Sequence, residues 1–460
     1  MAVATTGAAT LARTPRTSPA DLATALAHAF LGAESWSKAA LVASAAGSLG
    51  ARRRWLPPLA GHVLAAYHRP PADAPRELAA VVGQCDAFRE ALAKSARQRK
   101  PIRLAHLVPV AGKARDSATD IPRIDTLAEL AGRLELSTGE LEWFADPGQW
   151  NRSARTPRLQ HYRYEWRSRP GRVPRLLEIP GTRLRAIQRR ILRDLLQPIP
   201  LHDAAHGFVP GRSAITGAAR HTGNEVVINL DLSTFFARVT PGKIFGVLRQ
   251  AGYAEAVAHR LTGLCTHAVP ARVLAAMPAG GDPGERFAVR QALARAHLPQ
   301  GAPTSPLLAN LALRRLDSRL AGWAAAVGAS YTRYADDLAF SGGPDLARGA
   351  DAFIRGAARI VADEGHDLNR RKTRVRGAAT RQSVTGVVVN AHTNISRGDY
   401  DRIKAILHHC VLDGPGEQNR SGHPDFQAYL RGRIAWIESL NAARGAQLRA
   451  EFDRIQWQTA

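Results

Sequence analysis

Cysteine is nearly absent: the 460 residues contain only Cys85, Cys265 and Cys410. They stand too far apart for a CxxC metal knuckle, and an odd, sparse set gives no disulfide framework, so a reducing cytoplasm is the expected compartment. No run of 18 or more residues is uninterruptedly apolar, which excludes an expected transmembrane helix. Acidic residues are scarce, with 39 Asp+Glu against 63 Lys+Arg and a formal net charge of +24. That excess goes beyond what solubility requires and points to a polyanionic partner. Hydrophobic residues at 45% and charged residues at 22% are ordinary globular values, which exclude a chain disordered throughout, a collagen-like repeat and a coiled-coil rod.

The length predicts several structural units. No acid precedes Asp21, so the start reads as a disordered tail, with Arg13 and Arg16 giving it some likeness to a transit peptide. Residues 21–85 are Ala/Leu-rich with a helical pattern, and a helical pair is predicted over 126–145, where Ser137 and Glu140 form a capping box. That pair reads as a packed α-hairpin in preference to a DNA-reading helix-turn-helix. Residues 1–150 are accordingly assigned to a helical accessory region.

Positive charge is focused between Asn151 and Pro200, where 13 arginines face only Glu165, Glu178 and Asp194. Over Gly181 to Gln197, Leu184, Ile187, Ile191 and Leu195 share one helical face and Arg185, Arg189 and Arg193 another, a pattern that docks on a core while offering guanidinium groups to phosphates. Pro198 ends that helix. Val226 to Leu230 reads as a buried strand delivering Asp231, Thr240 and Pro241 open a helix to about Gln250, and Ser305 and Pro306 open another. Tyr331–Tyr334 and Leu338–Ser341 read as short strands around Asp336 and Asp337, and Val384–Asn390 as a further strand. Pairing of these strands in one sheet would bring Asp231 beside Asp336 and Asp337, a set of hard oxygen ligands suited to two divalent cations, Mg²⁺ or in substitution Mn²⁺. Taken alone, an Asp-Asp turn is more often structural. His408, His409 and Cys410 offer no zinc site, because neighbouring helical residues point apart and no fourth ligand stands at finger spacing.

The motifs supply context. Tyr334 to Asp337 spell YADD within YTRYADDLAFSG, Leu298 to Pro306 read LPQGAPTSP, and Asn229 to Phe236 read NLDLSTFF. In order and spacing these resemble the reverse transcriptases over roughly residues 160–395. HGFVPGRS at His206–Ser213 and Val384, Thr385 and Gly386 (VTG) resemble the bacterial retron type in particular, although the NAxxH element of that type stands here as Gly217-Ala218-Ala219-Arg220-His221, without its Asn.

The resemblance implies an α+β right-hand polymerase with an N-terminal helical extension (1–150), a fingers and palm core (151–395) and a helical thumb (396–460). It implies that Asp231, Asp336 and Asp337 bind Mg²⁺ and are catalytic. Arg172 and Arg175 would grip the triphosphate, Phe236 would crowd a ribose 2′-hydroxyl, Gln300 and Gly301 would line the incoming nucleotide, and Lys372 would act near the leaving pyrophosphate. His221, Val384, Thr385 and Gly386 would recognise RNA. The expected partners are a structured noncoding RNA, its cDNA, deoxynucleoside triphosphates and an effector protein encoded nearby, with a branched RNA-linked DNA product and a role in antiphage defence. Two other readings stand beside this one: a group II intron-like or other bacterial reverse transcriptase, which the short C-terminus and the VTG element disfavour, and a nucleic-acid-binding protein on a retired polymerase scaffold, which the intact carboxylates disfavour.

Overall fold

The computed structural model describes residues 18–71, 75–105, 121–152, 154 and 156–457. The expected disordered start falls almost wholly on residues 1–17, outside the described residues. Ser18 then caps the first helix, Pro19–Leu31, its hydroxyl accepting from the Asp21 amide at 3.1 Å. Helices Lys38–Leu49, Leu56–Ala66, Pro75–Gln84 and Asp86–Arg97 complete a unit with its own core of Leu26, Phe30, Leu41, Leu59, Val63, Leu78 and Phe88. Ion pairs tie it to the central domain: Lys38 to Asp363 at 2.9 Å, and Arg249 to the buried Glu77 at 2.5 Å.

The helical pair is a packed hairpin, Leu127–Arg133 and Thr138–Ala145, with the Ser137–Glu140 capping box formed. It does not belong with the N-terminal unit, however. Leu130, Leu134 and Leu141 enter the same core as the central sheet, so packing crosses the expected boundary at residue 150. Linear proximity suggested the accessory region, whereas the leucine stripe finds its partners more than forty residues further on.

An antiparallel hairpin follows, β1 (Tyr162–Arg169) and β2 (Arg172–Pro180). The central sheet contains β3 (Val226–Asp231), β4 (Ser330–Tyr334), β5 (Asp337–Gly342) and β6 (Arg374–Gly377) in the order β4-β5-β3-β6, all neighbours antiparallel. Alternation along the strands divides the two faces. Ile228, Leu230, Leu338 and Phe340 pack on helices that include Pro241–Gln250, Arg314–Ala325 and Ala350–Asp363, while Val227 and Ala339 face a C-terminal core.

That second core joins helices Arg397–Leu412, Phe426–Leu440 and Ala442–Phe452 through Ile403, Leu407, Ile434, Ile437 and Leu448. Val384, Val387 and Val389 belong to it as well, so packing crosses the expected boundary at residue 395. The run predicted as one strand over Val384–Asn390 is instead a tight hairpin, β7 (Ser383–Val384) and β8 (Val387–Val388). Thr385 (φ 49°) and Gly386 (φ 85°) turn it with two consecutive left-handed residues, the geometry that reverses a two-residue hairpin. Cys410 is buried in the same core, while His408 and His409 are exposed.

Candidate active site

Asp231 ends β3 and stands directly opposite Asp337, which begins β5. Tyr334 pairs with Asp337, so Ala335 and Asp336 alone turn β4 into β5, with Ala335 left-handed at φ 54°. The Leu232 amide donates to the Asp336 carbonyl at 2.9 Å and clamps the turn to the end of β3. The three carboxyl-bearing residues therefore come together through strand register and one turn.

A buried cation fixes the turn from behind. Arg333 is fully buried; Nε and Nη2 bond the two carboxylate oxygens of Asp317 at 2.7 and 2.6 Å, and Nη1 donates to Asn310 Oδ1 at 2.9 Å and to the Ala335 carbonyl at 3.1 Å. Asn310 in turn donates to the Gly207 carbonyl at 2.8 Å. A Cβ on Gly207 would lie 2.7 Å from the Ala335 amide nitrogen, so the chain at 206–208 passes against the turn as only glycine permits. Sequence reasoning missed Arg333, which in YTRY reads as an exposed basic position.

Lys372 Nζ donates to Asp231 Oδ2 at 2.6 Å, and the Asn369 amide donates to the Asp231 carbonyl at 2.8 Å. Burial raises the pKa of Asp231, opposed by the Lys372 hydrogen bond and charge and reinforced by Asp336. Asp337 keeps solvent contact, yet desolvation by the surrounding protein, followed by the charges of Asp336 and Asp231, pushes it up to about 6. Three carboxyl groups repelling one another beside a single lysine form a site that gains from a divalent cation. Among the described residues no three His, Cys, Asp or Glu side chains form a ready cage.

The β1–β2 hairpin brings arginines toward the acids. Arg169 and Arg172 pair across the hairpin, and Arg167 with Arg175. Arg172 is close enough to help lower the Asp231 pKa. Arg169, which sequence reasoning did not single out, lies in the field of Arg175, Arg172 and Asp336. Gln300 and Gly301 run beside β2: the Glu178 amide donates to the Gln300 carbonyl at 2.9 Å, and Gly301 (φ 133°) leaves no room for a Cβ, which would meet the Glu178 carbonyl at 2.8 Å. Beneath them the buried Glu178 holds His297 at 3.0 Å. Burial alone would lower the His297 pKa, but the Glu178 charge and hydrogen bond hold it above its usual value.

Phe236 opens a single helical turn, Phe236–Arg238, half-buried and edge-on to Phe235 at 4.9 Å. His221 takes a different place from the one expected. It is fully buried, with Nδ1 2.8 Å from Ser341 Oγ and Nε2 2.7 Å from Thr332 Oγ1, so its ring joins β4 to β5 and is enclosed by protein where an RNA contact was expected. Val384 is likewise buried, while Thr385 and Gly386 line a cavity of about 510 Å³ shared with Asn229, Asp337, Arg374 and Arg376. At Gly217, where the NAxxH element carries its Asn, a Cβ would lie 3.2 Å from the His206 ring.

Residues 170–389 match the reverse transcriptase (RNA-dependent DNA polymerase) family, whose fold is that of a right-hand polymerase. The chain is 39% identical over 338 residues to the retron Mx65 reverse transcriptase of Myxococcus xanthus, covering 71% of each chain. To the retron Mx162 reverse transcriptase of the same organism it is 33% identical over 74% of this chain and 69% of the relative. To the retron Ec86 reverse transcriptase of Escherichia coli it is 31% identical over 66% and 86%. The chain belongs to the reverse transcriptases, and within them to the retron type. It is an RNA-directed DNA polymerase, with an RNA template and deoxynucleoside triphosphates as substrates, in a family that uses divalent ions, typically Mg²⁺. Among the described residues no helix is long and apolar enough to cross a membrane.

Proposed function

We propose that Asp231, Asp336 and Asp337 hold two Mg²⁺ ions and that the chain copies a structured noncoding RNA into a branched, RNA-linked single-stranded DNA. The observation that carries this reading is the Asp231–Asp337 register pair, with Asp336 in the connecting turn and Lys372 on Asp231. Divalent ions, when bound, supply the acidity of the attacking hydroxyl and charge neutralisation of the leaving pyrophosphate. The chain's own residues arrange the rest. Arg172, with Arg169 and Arg175, meets the triphosphate from the fingers hairpin; Gln300 and Gly301 line the base; Phe236 closes the 2′ side of the sugar. Lys372 offers a proton at Nζ to the pyrophosphate.

On this reading the fingers and palm lie within residues 151–395 and the thumb within residues 396–460. Thr385 and Gly386, with Arg374 and Arg376, meet RNA at the cavity beside Asp337, and His221 holds that wall in place from inside. Priming falls to a 2′-hydroxyl of the cognate RNA in the cytoplasm, and the bound product serves antiphage defence with an effector encoded nearby. Primer extension on an RNA template tests the catalytic part: wild type extends with Mg²⁺, and Asp336→Asn abolishes extension while RNA binding persists. Sequencing the nucleic acid that copurifies tests the biological part. A branched molecule from one locus is expected, and intron RNA would overturn it in favour of an intron-type enzyme.

A further inference from the structure

Phe208 has no place in the roles assigned so far. It is 46% exposed, and its backbone is left-handed at φ 60°, a conformation that a bulky side chain adopts only when its surroundings impose it. The surroundings are rigid. On one side the His206 amide donates to the Arg333 carbonyl at 2.8 Å and Asn310 holds the Gly207 carbonyl; on the other, Arg212 Nη1 donates to the carbonyls of Asp203 and Ala205 at 2.8 and 2.9 Å. A phenylalanine kept for core packing would be buried. This one is fixed with nearly half its surface in water, at the edge of the active site.

Its ring lies 6.5 Å from Phe236 and 6.3 Å from Tyr334, tilted by 47° and 36°. Phe236 thus has two ring neighbours. Phe235, 4.9 Å away, is buried, and Phe208, at 6.5 Å, is exposed. The turn that carries Phe236 is further tied by Arg238, which donates to Thr234 Oγ1 at 3.1 Å and pairs with Asp367. Of the two rings beside Phe236, Phe208 is the exposed one.

We infer that Phe208 is a specificity-determining positioning residue: it holds Phe236 upright against the sugar of the incoming nucleotide, and so sets how strongly ribonucleotides are rejected. The inference rests on the reading of Phe236 as the sugar gate. Discrimination depends on the gate ring being unable to tilt away from a 2′-hydroxyl, and removal of one flanking ring gives it room to do so. One aromatic contact is worth about three- to tenfold in such a ratio.

The test is the ratio of kcat/KM for a deoxynucleotide to that for the matching ribonucleotide, on an RNA template, for Phe208→Ala, Phe208→Tyr, Phe236→Ala and the double alanine variant. Because both substrates are measured on one preparation, any inactive fraction cancels from the ratio. Phe208→Ala is expected to lower it about three- to tenfold, Phe208→Tyr to restore it, Phe236→Ala to lower it further, and the double variant to match Phe236→Ala, since Phe208 acts through that ring. A wild-type ratio in Phe208→Ala beside a lowered ratio in Phe236→Ala overturns the inference and leaves the gate standing. A wild-type ratio in Phe236→Ala removes the gate and the inference with it. A double variant lower than Phe236→Ala makes Phe208 an independent contact and also overturns it.

Discussion

Arg333 and Asp317 form a two-pronged ion pair at 2.6 and 2.7 Å with neither side chain exposed, directly behind the turn that carries Asp336. Tyr331 adds a third bond, its hydroxyl donating to Asp317 Oδ1 at 2.9 Å. Asp317→Ala leaves a guanidinium buried without its counter-charge, and about 3–5 kcal/mol of stability is expected to be lost in urea unfolding. The joint replacement Arg333→Met with Asp317→Leu removes both charges and is expected to recover most of that loss. Extension activity is expected to stay low in the joint variant, because the Arg333 bonds to Asn310 and the Ala335 carbonyl are gone as well. Full activity there would show that the turn needs no such support.

Gly207→Ala tests the other contact on the turn. The added methyl meets backbone, the Ala335 nitrogen at 2.7 Å and the Tyr334 carbonyl carbon at 3.2 Å, so the chain has to move. Overpacking of this kind costs about 1–3 kcal/mol. Displacement of the carboxylates is expected to cost far more in function, on the order of a hundredfold in single-turnover extension. Activity that falls only in step with the melting temperature would place the strain away from the site.

These two contacts mark where the sequence stops being legible. The carboxylates, the β4–β5 turn and the helix opening at Pro241 are readable because each is encoded within a few consecutive residues. Arg333 is not, since its partner Asp317 lies 16 positions away on a helix, and an arginine in a strand reads as solvated until that partner is seen. His221 is misread for the same reason: its partners Thr332 and Ser341 are 111 and 120 positions distant. The Val384–Asn390 run reads as one strand because a β-branched Thr385 at φ 49° goes against local preference, and the C-terminal core that seats the hairpin lies beyond any local window. The helical pair at 127–145 was grouped by position in the chain, whereas its leucines follow the core.

Lys372 occupies Asp231 Oδ2 at 2.6 Å, an oxygen that a divalent cation would also use. Lys372→Ala removes a charge-assisted bond and frees that oxygen. The Mg²⁺ concentration for half-maximal extension is therefore expected to fall about three- to tenfold, while the rate at saturating Mg²⁺ also falls because the proton offered to pyrophosphate is lost. A Mg²⁺ titration of wild type and variant separates the two effects. A higher Mg²⁺ requirement in the variant would mean that Lys372 assists metal binding instead of competing with it.

Stability should depend on pH through the buried imidazoles. Desolvation, followed by the charges of His206 and Arg220, lowers the His221 pKa from 6.5 to about 4, and burial as the leading cause takes His62, His68 and His161 to about 4 as well. A folded-state value below the unfolded one means that the unfolded chain binds protons first as the pH falls. The stabilising contribution is therefore complete above pH 6.5 and is lost progressively down to about pH 4. For His221 the loss across the whole window amounts to about 3 kcal/mol. His221→Gln is expected to lower stability at pH 7.5, since the bonds to Ser341 and Thr332 are not both remade, and to narrow its deficit against wild type as the pH is lowered, since glutamine has no proton to gain. Urea unfolding at several pH values measures both slopes; parallel slopes would mean that His221 titrates alike in the folded and unfolded chain, and that its ring is not held neutral between β4 and β5.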